Sequence, residues 1–157
     1  MTCILGIDPG LSGALAFFFP CASDRISAED TPVVDGQIDC ATLSARIKQL
    51  APDLAIVERV SSRPGQGVAS TFKFGASYGA VLGCLAALGV PTRLVSPTVW
   101  KKHYRLGADK EQARALALRL FPACSQHFGR KKDHGRAEAA LIARYGAETF
   151  LRKDEAA

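Results

Sequence analysis

The chain has 157 residues, 48% of them hydrophobic and 22% charged, with a formal net charge of +5 at pH 7. This balance predicts one globular domain over residues 1–157 with a substantial core, and it excludes disordered or collagen-like chains. No apolar run reaches the roughly 18 residues of a membrane span. The lack of a leader before the first apolar run predicts a cytoplasmic protein without a membrane partner. Cys3, Cys21, Cys40, Cys84 and Cys124 are scattered and form no C-x-x-C pair. They read as small apolar fillers, not as a disulfide framework or a zinc site.

Cys3 to Ile7 reads as a short apolar strand that ends at Asp8, followed by the tight turn Pro9-Gly10-Leu11-Ser12-Gly13 and a second strand, Ala14 to Phe19. An aspartate at the end of a buried run loses hydration unless a cation or strong donors offset the loss. Asp8 is therefore a metal-ligand candidate; the alternative is an aspartate that only starts the turn. A third strand is expected over approximately Ile26 to Val34. In Ala41 to Leu50, the residues Leu43, Ile47 and Leu50 recur at helical spacing, and Pro52 closes the segment.

Leu54 to Glu58 is an apolar run ending in a second carboxylate, as in a central parallel strand covered on both faces. A polar loop, Ser61 to Gly67, leads into a small-residue helix from about Ser70 to Leu88. Its Gly75, Gly79 and Gly83 clear one face for close approach by another element, within the chain or in a second copy. Thr92 to Val95 reads as a fifth strand. Ser96-Pro97 opens a helix through Trp100 to about Tyr104, with Trp100 read as core. Asp109 caps a helix through Leu120, and the last helix runs from about Gly135 to Leu151. Three meandering strands followed by alternating helices and strands define an α/β layout around a mixed sheet.

Asp8, Glu58 and Glu138 thus leave three apolar elements as carboxylates. Converging oxygens are what Mg²⁺ needs, and two such ions can clamp an in-line phosphoryl displacement. Charge is also segregated. Residues 1–57 hold three Lys or Arg against seven Asp or Glu, a net −4, whereas residues 97–137 hold ten against three, a net +7. Such asymmetry suits a phosphate-bearing partner.

The segments Gly6-Ile7-Asp8-Pro9-Gly10-x-Ser12-Gly13-Ala14, Val57-Glu58, Val95-Ser96-Pro97-x-x-Trp100-Lys101 and Arg130-Lys131-Lys132-Asp133-His134-Gly135-Arg136-Ala137-Glu138-Ala139 resemble the RuvC-type Holliday-junction resolvases of the ribonuclease H-like superfamily. Within them the chain looks closest to the plant chloroplast branch and its bacterial and phage relatives. The likeness covers essentially the whole chain. It implies a ribonuclease H-like fold with a central five-stranded mixed sheet flanked by helices. It also implies a homodimer that makes paired symmetric nicks in four-way DNA junctions, with two Mg²⁺ per active site and Mn²⁺ able to substitute.

Carried over residue by residue, Asp8, Glu58 and Glu138 match three of the family's metal-binding carboxylates. The fourth position lies between Asp133 and His134. Oxygen preference favours Asp133, leaving His134 to act on the leaving oxygen or to position a water. In the implied mechanism two Mg²⁺ bridged by Asp8 bind the scissile phosphate, activate water and stabilise the departing 3′-oxygen. Lys101 resembles the family's phosphate-binding lysine. Lys102, Arg105, Arg130, Lys131, Lys132 and Arg136 would hold the DNA backbone. Arg59, Arg63, Gln66 and Lys73 belong to the region that in the family reaches the junction centre, where at most one of Phe72 and Phe74 should face DNA. A kinase-like phosphotransferase would share the first turn, but the chain has no second phosphate loop. A binding-only junction protein is the third reading.

Overall fold

The computed structural model describes residues 1–151. β1 (Ile4–Asp8), β2 (Ala14–Phe18) and β3 (Ile26–Asp30) form an antiparallel meander. The third strand is shorter than the sequence suggests. The Thr31 N–H makes one last ladder bond, to Gly13 O at 3.0 Å, and Pro32 beyond it has no N–H to contribute. The chain re-forms as a small separate hairpin, β4 (Val33–Val34) and β5 (Gln37–Ile38), turned by Asp35 and Gly36 at φ 49° and 72°. Two consecutive left-handed residues are what a tight hairpin turn requires.

α1 (Cys40–Leu50) then leads to β6 (Leu54–Glu58), α2 (Val68–Ala87) and β7 (Thr92–Val95), and the sheet order is β3-β2-β1-β6-β7. β6 is parallel to β1 and β7 is parallel to β6, so the five-stranded sheet is mixed. α3 (Pro97–His103), α4 (Lys110–Leu120) and α5 (His134–Gly146) complete the chain. The last helix is not uniform to Leu151, as its periodicity suggests: beyond Gly146 the residues Ala147–Leu151 form a π-helical turn.

Strand alternation sorts the core into two layers. Leu5, Ile7, Leu15, Phe17, Ala55 and Val57 point to one face and pack with Leu43 and Ile47 of α1 and Val81 and Leu85 of α2. Ile4, Ala14, Ala16, Phe18 and Ile56 point to the other, with Trp100 of α3, Leu116 of α4 and Leu141 of α5. α5 is buried nearly all round, as befits a helix laid across the sheet centre. Gly6 makes this possible: a Cβ there would collide with the Ala139 carbonyl and the Ala143 amide of α5. Among the described residues, no helix is long and apolar enough to cross a membrane.

Candidate active site

Register decides which carboxylates meet. Parallel pairing of Ile7 with Val57 brings the residues that follow, Asp8 and Glu58, side by side at the C-terminal ends of the two central strands. Both share the parity of Ile4 and Ile56, so both rise on the α5 face, where Glu138 stands one turn into the helix. The three line an open cleft of about 1260 Å³, together with Ser12, Lys101, Lys110, His134 and the loop from Arg59 to Gln66.

The three carboxylates repel one another. Burial, then the charges of Glu138 and Glu58, push the Asp8 carboxyl well above its usual range, against the pull of Lys110 and Lys101. Glu58 is also raised, first by burial and then by Glu138, although a hydrogen bond from Trp100 opposes the shift. The Trp100 indole Nε1 donates to Glu58 Oε2 at 2.7 Å while its ring lies fully buried. The core reading of Trp100 is therefore right but incomplete: one residue packs the core and aims the second carboxylate. Lys101 Nζ lies 3.6 Å from Glu138 Oε1 and 5.3 Å from the Trp100 ring centroid.

The region around Glu138 separates the two candidates for the fourth ligand. Asp133 is 2% exposed and lies outside the cleft. It closes a capping box, accepting from Arg130 N at 2.8 Å and from Arg130 Nη2 at 2.8 Å. Against the cost of burial, these bonds hold its carboxyl below the usual range. Its neighbour His134 opens α5 and borders the cleft, and its Nδ1 is buried without a hydrogen-bond partner among the described residues. Gly135 packs closely on the β1–β2 turn, where a Cβ would stand 3.3 Å from Ser12 O and 3.4 Å from Asp8 Oδ2.

This donor set fits a hard divalent cation: three mutually repelling carboxylates line one cleft, and His134, whose Nδ1 has no hydrogen-bond partner among the described residues, borders it. The side chains are not drawn together in advance. Among the described residues, no three His, Cys, Asp or Glu side chains already stand close enough to hold one ion. Like-charge repulsion and the ties of Glu58 to Trp100 and Glu138 to Lys101 account for the open arrangement.

The expected DNA contacts divide in two. Arg59, Arg63, Gln66, Lys73 and Lys101 line the cleft, and so does Lys110, which sequence inspection passes over as an ordinary first-turn residue of α4. Lys102, Arg105, Lys131 and Lys132 are exposed outside it. Arg130 and Arg136 are not free phosphate ligands. Arg130 is bound to Asp133, and Arg136 grips Asp30 through Nε at 2.7 Å and Nη2 at 3.0 Å. Gln66 braces its own loop, accepting from Arg63 N at 3.3 Å and donating to Ser70 Oγ at 3.4 Å. Phe74 packs over Gly10, whereas Phe72 is 77% exposed at the start of α2.

No protein-family model matches this sequence, and no curated protein does so either. The fold is nevertheless an α/β ribonuclease H-like fold of the kind found in RuvC-type junction resolvases. The Thermus thermophilus RuvC bound to a Holliday junction substrate has 18% identity and a TM-score of 0.63, over 96% of this chain and 97% of that one. The fowlpox virus Holliday junction resolvase has 15% identity and a TM-score of 0.58, over 96% and 100%. The yeast mitochondrial Holliday junction resolvase Ydc2 has 16% identity and a TM-score of 0.57, over 98% and 84%.

Proposed function

We propose that this chain is a metal-dependent endonuclease that resolves four-way DNA junctions as a homodimer, related most nearly to the chloroplast-type resolvases and working in the cytoplasm. The observation that carries the reading is the meeting of Asp8, Glu58 and Glu138 in one basic-rimmed cleft. The resemblance of its fold to junction resolvases supports it.

Asp8, Glu58, Glu138 and His134 would hold the cations, with His134 taking the place expected for Asp133. Bound Mg²⁺, two per site in this reading and replaceable by Mn²⁺, would supply Lewis-acid stabilisation and a reactive water at neutral pH. The protein's own part is positioning. Trp100 holds Glu58 in its rotamer, Lys101 and Lys110 offer charge to phosphate oxygens, and Arg59, Arg63 and Lys73 hold the strand entering the cleft. The exposed Phe72 is placed to stack on an unpaired base at the branch, a contact worth about 1–3 kcal/mol. The second copy would pack on α2, where Gly75, Gly79 and Gly83 have nothing within 4 Å of a notional Cβ. Two active sites are needed for two symmetric nicks.

The test compares cleavage of a four-way junction with that of linear duplex of the same sequence, with and without Mg²⁺, alongside the mass of the complex by light scattering. Selective Mg²⁺-dependent nicking by a two-chain complex is expected. Binding without cutting would favour a junction-binding protein, and phosphate transfer from a nucleotide would favour the phosphotransferase.

The fourth position has its own expected result. His134→Ala should slow single-turnover cleavage by about 10²-fold, as loss of a metal partner does. Asp133→Asn should mainly lower stability, by roughly 1–3 kcal/mol, because it weakens a buried charge-assisted hydrogen-bond set. The opposite ranking, measured as cleavage rates at saturating Mg²⁺ beside thermal melts, would return the role to Asp133.

A further inference from the structure

We infer that Glu148 is a positioning residue for the cleft, acting through α3 and not on substrate. The inference rests on the nuclease reading for its kinetic consequence, though not for its structural one. α3 has only seven residues, too few to keep its place by helix propensity. Yet it carries Trp100, which holds Glu58, and Lys101, which faces Glu138. Its first turn is fixed by the Ser96 cap and by burial of Trp100.

At its last turn one carboxylate ties both polar side chains to the terminal helix. Glu148 Oε2 lies 2.8 Å from His103 Nε2 and accepts from the Tyr104 hydroxyl at 3.2 Å, while Oε1 accepts from Arg144 Nε at 2.8 Å. His103 is further wedged edge-on against Tyr145, at 5.2 Å between ring centroids. Glu148 stands in the π-helical turn that ends α5, a departure from α geometry that recurs at functional sites. Burial opposes its charge, but the hydrogen bonds from Arg144 and His103 hold its carboxyl below the usual range. Both oxygens therefore remain acceptors near neutral pH.

The geometry makes Glu148 a tie between the terminal helix and α3. Lys101 and Glu138 are already 3.6 Å apart, so a small slide of α3 separates them and loosens Trp100 from Glu58. Misplacing a catalytic group by about 1 Å costs on the order of 10²-fold in rate.

Trp100 is the only tryptophan in the chain, so its fluorescence reports on α3 without reference to cleavage. Glu148→Ala should redden and weaken that emission and slow single-turnover junction cleavage by about 30-fold, with junction Kd unchanged within about threefold. Glu148→Gln keeps one acceptor oxygen and should lose only about fivefold. In a Lys101→Ala background, Glu148→Ala should cost clearly less than its roughly 30-fold in wild type, because the part of its effect that passes through the Lys101–Glu138 contact is already lost and only the part through Trp100 and Glu58 remains. An equal cost in both backgrounds would overturn the inference, as would unchanged Trp100 emission in Glu148→Ala. If Glu148→Ala does not fold, Glu148→Gln and Tyr104→Phe decide the matter through the same emission and the same cycle. A wild-type protein that cuts no junction would instead defeat the nuclease reading, while the emission of the variants would still decide whether Glu148 holds α3.

Discussion

Asp8→Asn is expected to abolish cleavage, with a loss of at least about 10³-fold, equivalent to several kcal/mol of transition-state stabilisation. Junction binding should survive, because the basic residues that supply attraction to phosphates are untouched. The same substitution should make the metal-free protein more stable. Burial and the charges of Glu138 and Glu58 raise the Asp8 pKa in the folded state, so folding favours the protonated carboxyl. The associated stability is present below the unfolded aspartate value of about 3.9 and is lost as pH rises through the folded value. Asn carries no charge at any pH, so thermal melts of Asp8→Asn should fall less steeply between mildly acidic and neutral pH. Mg²⁺ should reverse the order, raising the melting temperature of wild type by mass action while leaving Asp8→Asn nearly unmoved. Cleavage retained by Asp8→Asn, or a Mg²⁺-induced shift equal in the two proteins, would contradict the role assigned to Asp8.

Gly6→Ala should damage the fold severely. The added carbon would meet backbone atoms of α5, the Ala139 carbonyl and the Ala143 amide, and neither can rotate away as a side chain could. The helix or the central strand must move, at a cost of about 3 kcal/mol. In a chain of this length that corresponds to a melting temperature lower by roughly 6–12 °C. Activity should fall with it, because α5 carries Glu138 and His134. At Gly79 the same substitution meets nothing within 4 Å, and helix propensity should stabilise the isolated chain by up to about 1 kcal/mol. A loss of stability at Gly79 would place the partner's backbone against that face. An unchanged melt for Gly6→Ala would mean that α5 does not sit on β1 as closely as the structure has it.

Much of this molecule is legible in its sequence because the responsible forces are local. Apolar runs with carboxylates at their ends mark β1 and β6, helical spacing marks α1, and the Ser96 and Asp109 caps mark α3 and α4. The motifs at Asp8, Glu58 and Glu138 are likewise visible, since a charge at the edge of a buried run stands out whatever lies across from it. Even the breaks have local causes: Pro32 ends the third strand, although its effect is easy to overlook beside Val33 and Val34.

Partner choice is not local, and there tertiary structure decided. Asp133 and His134 are adjacent in sequence, with helical spacing placing His134 on the Glu138 face and oxygen preference favouring Asp133; the turn before α5 ties Asp133 to Arg130 and leaves His134 at the cleft. Arg136 looks like a phosphate ligand until β3 places Asp30 against it. Lys110 carries no distinguishing pattern, and only the packing of α4 against α5 brings it to the cleft beside Asp8. Trp100 reads as core by type, while its bond to Glu58 joins side chains 42 residues apart in the chain. Hydrophobic patterning is a property of a segment and survives in the linear string; the pairing of charges and hydrogen bonds depends on distances between segments, which exist only once the chain has folded.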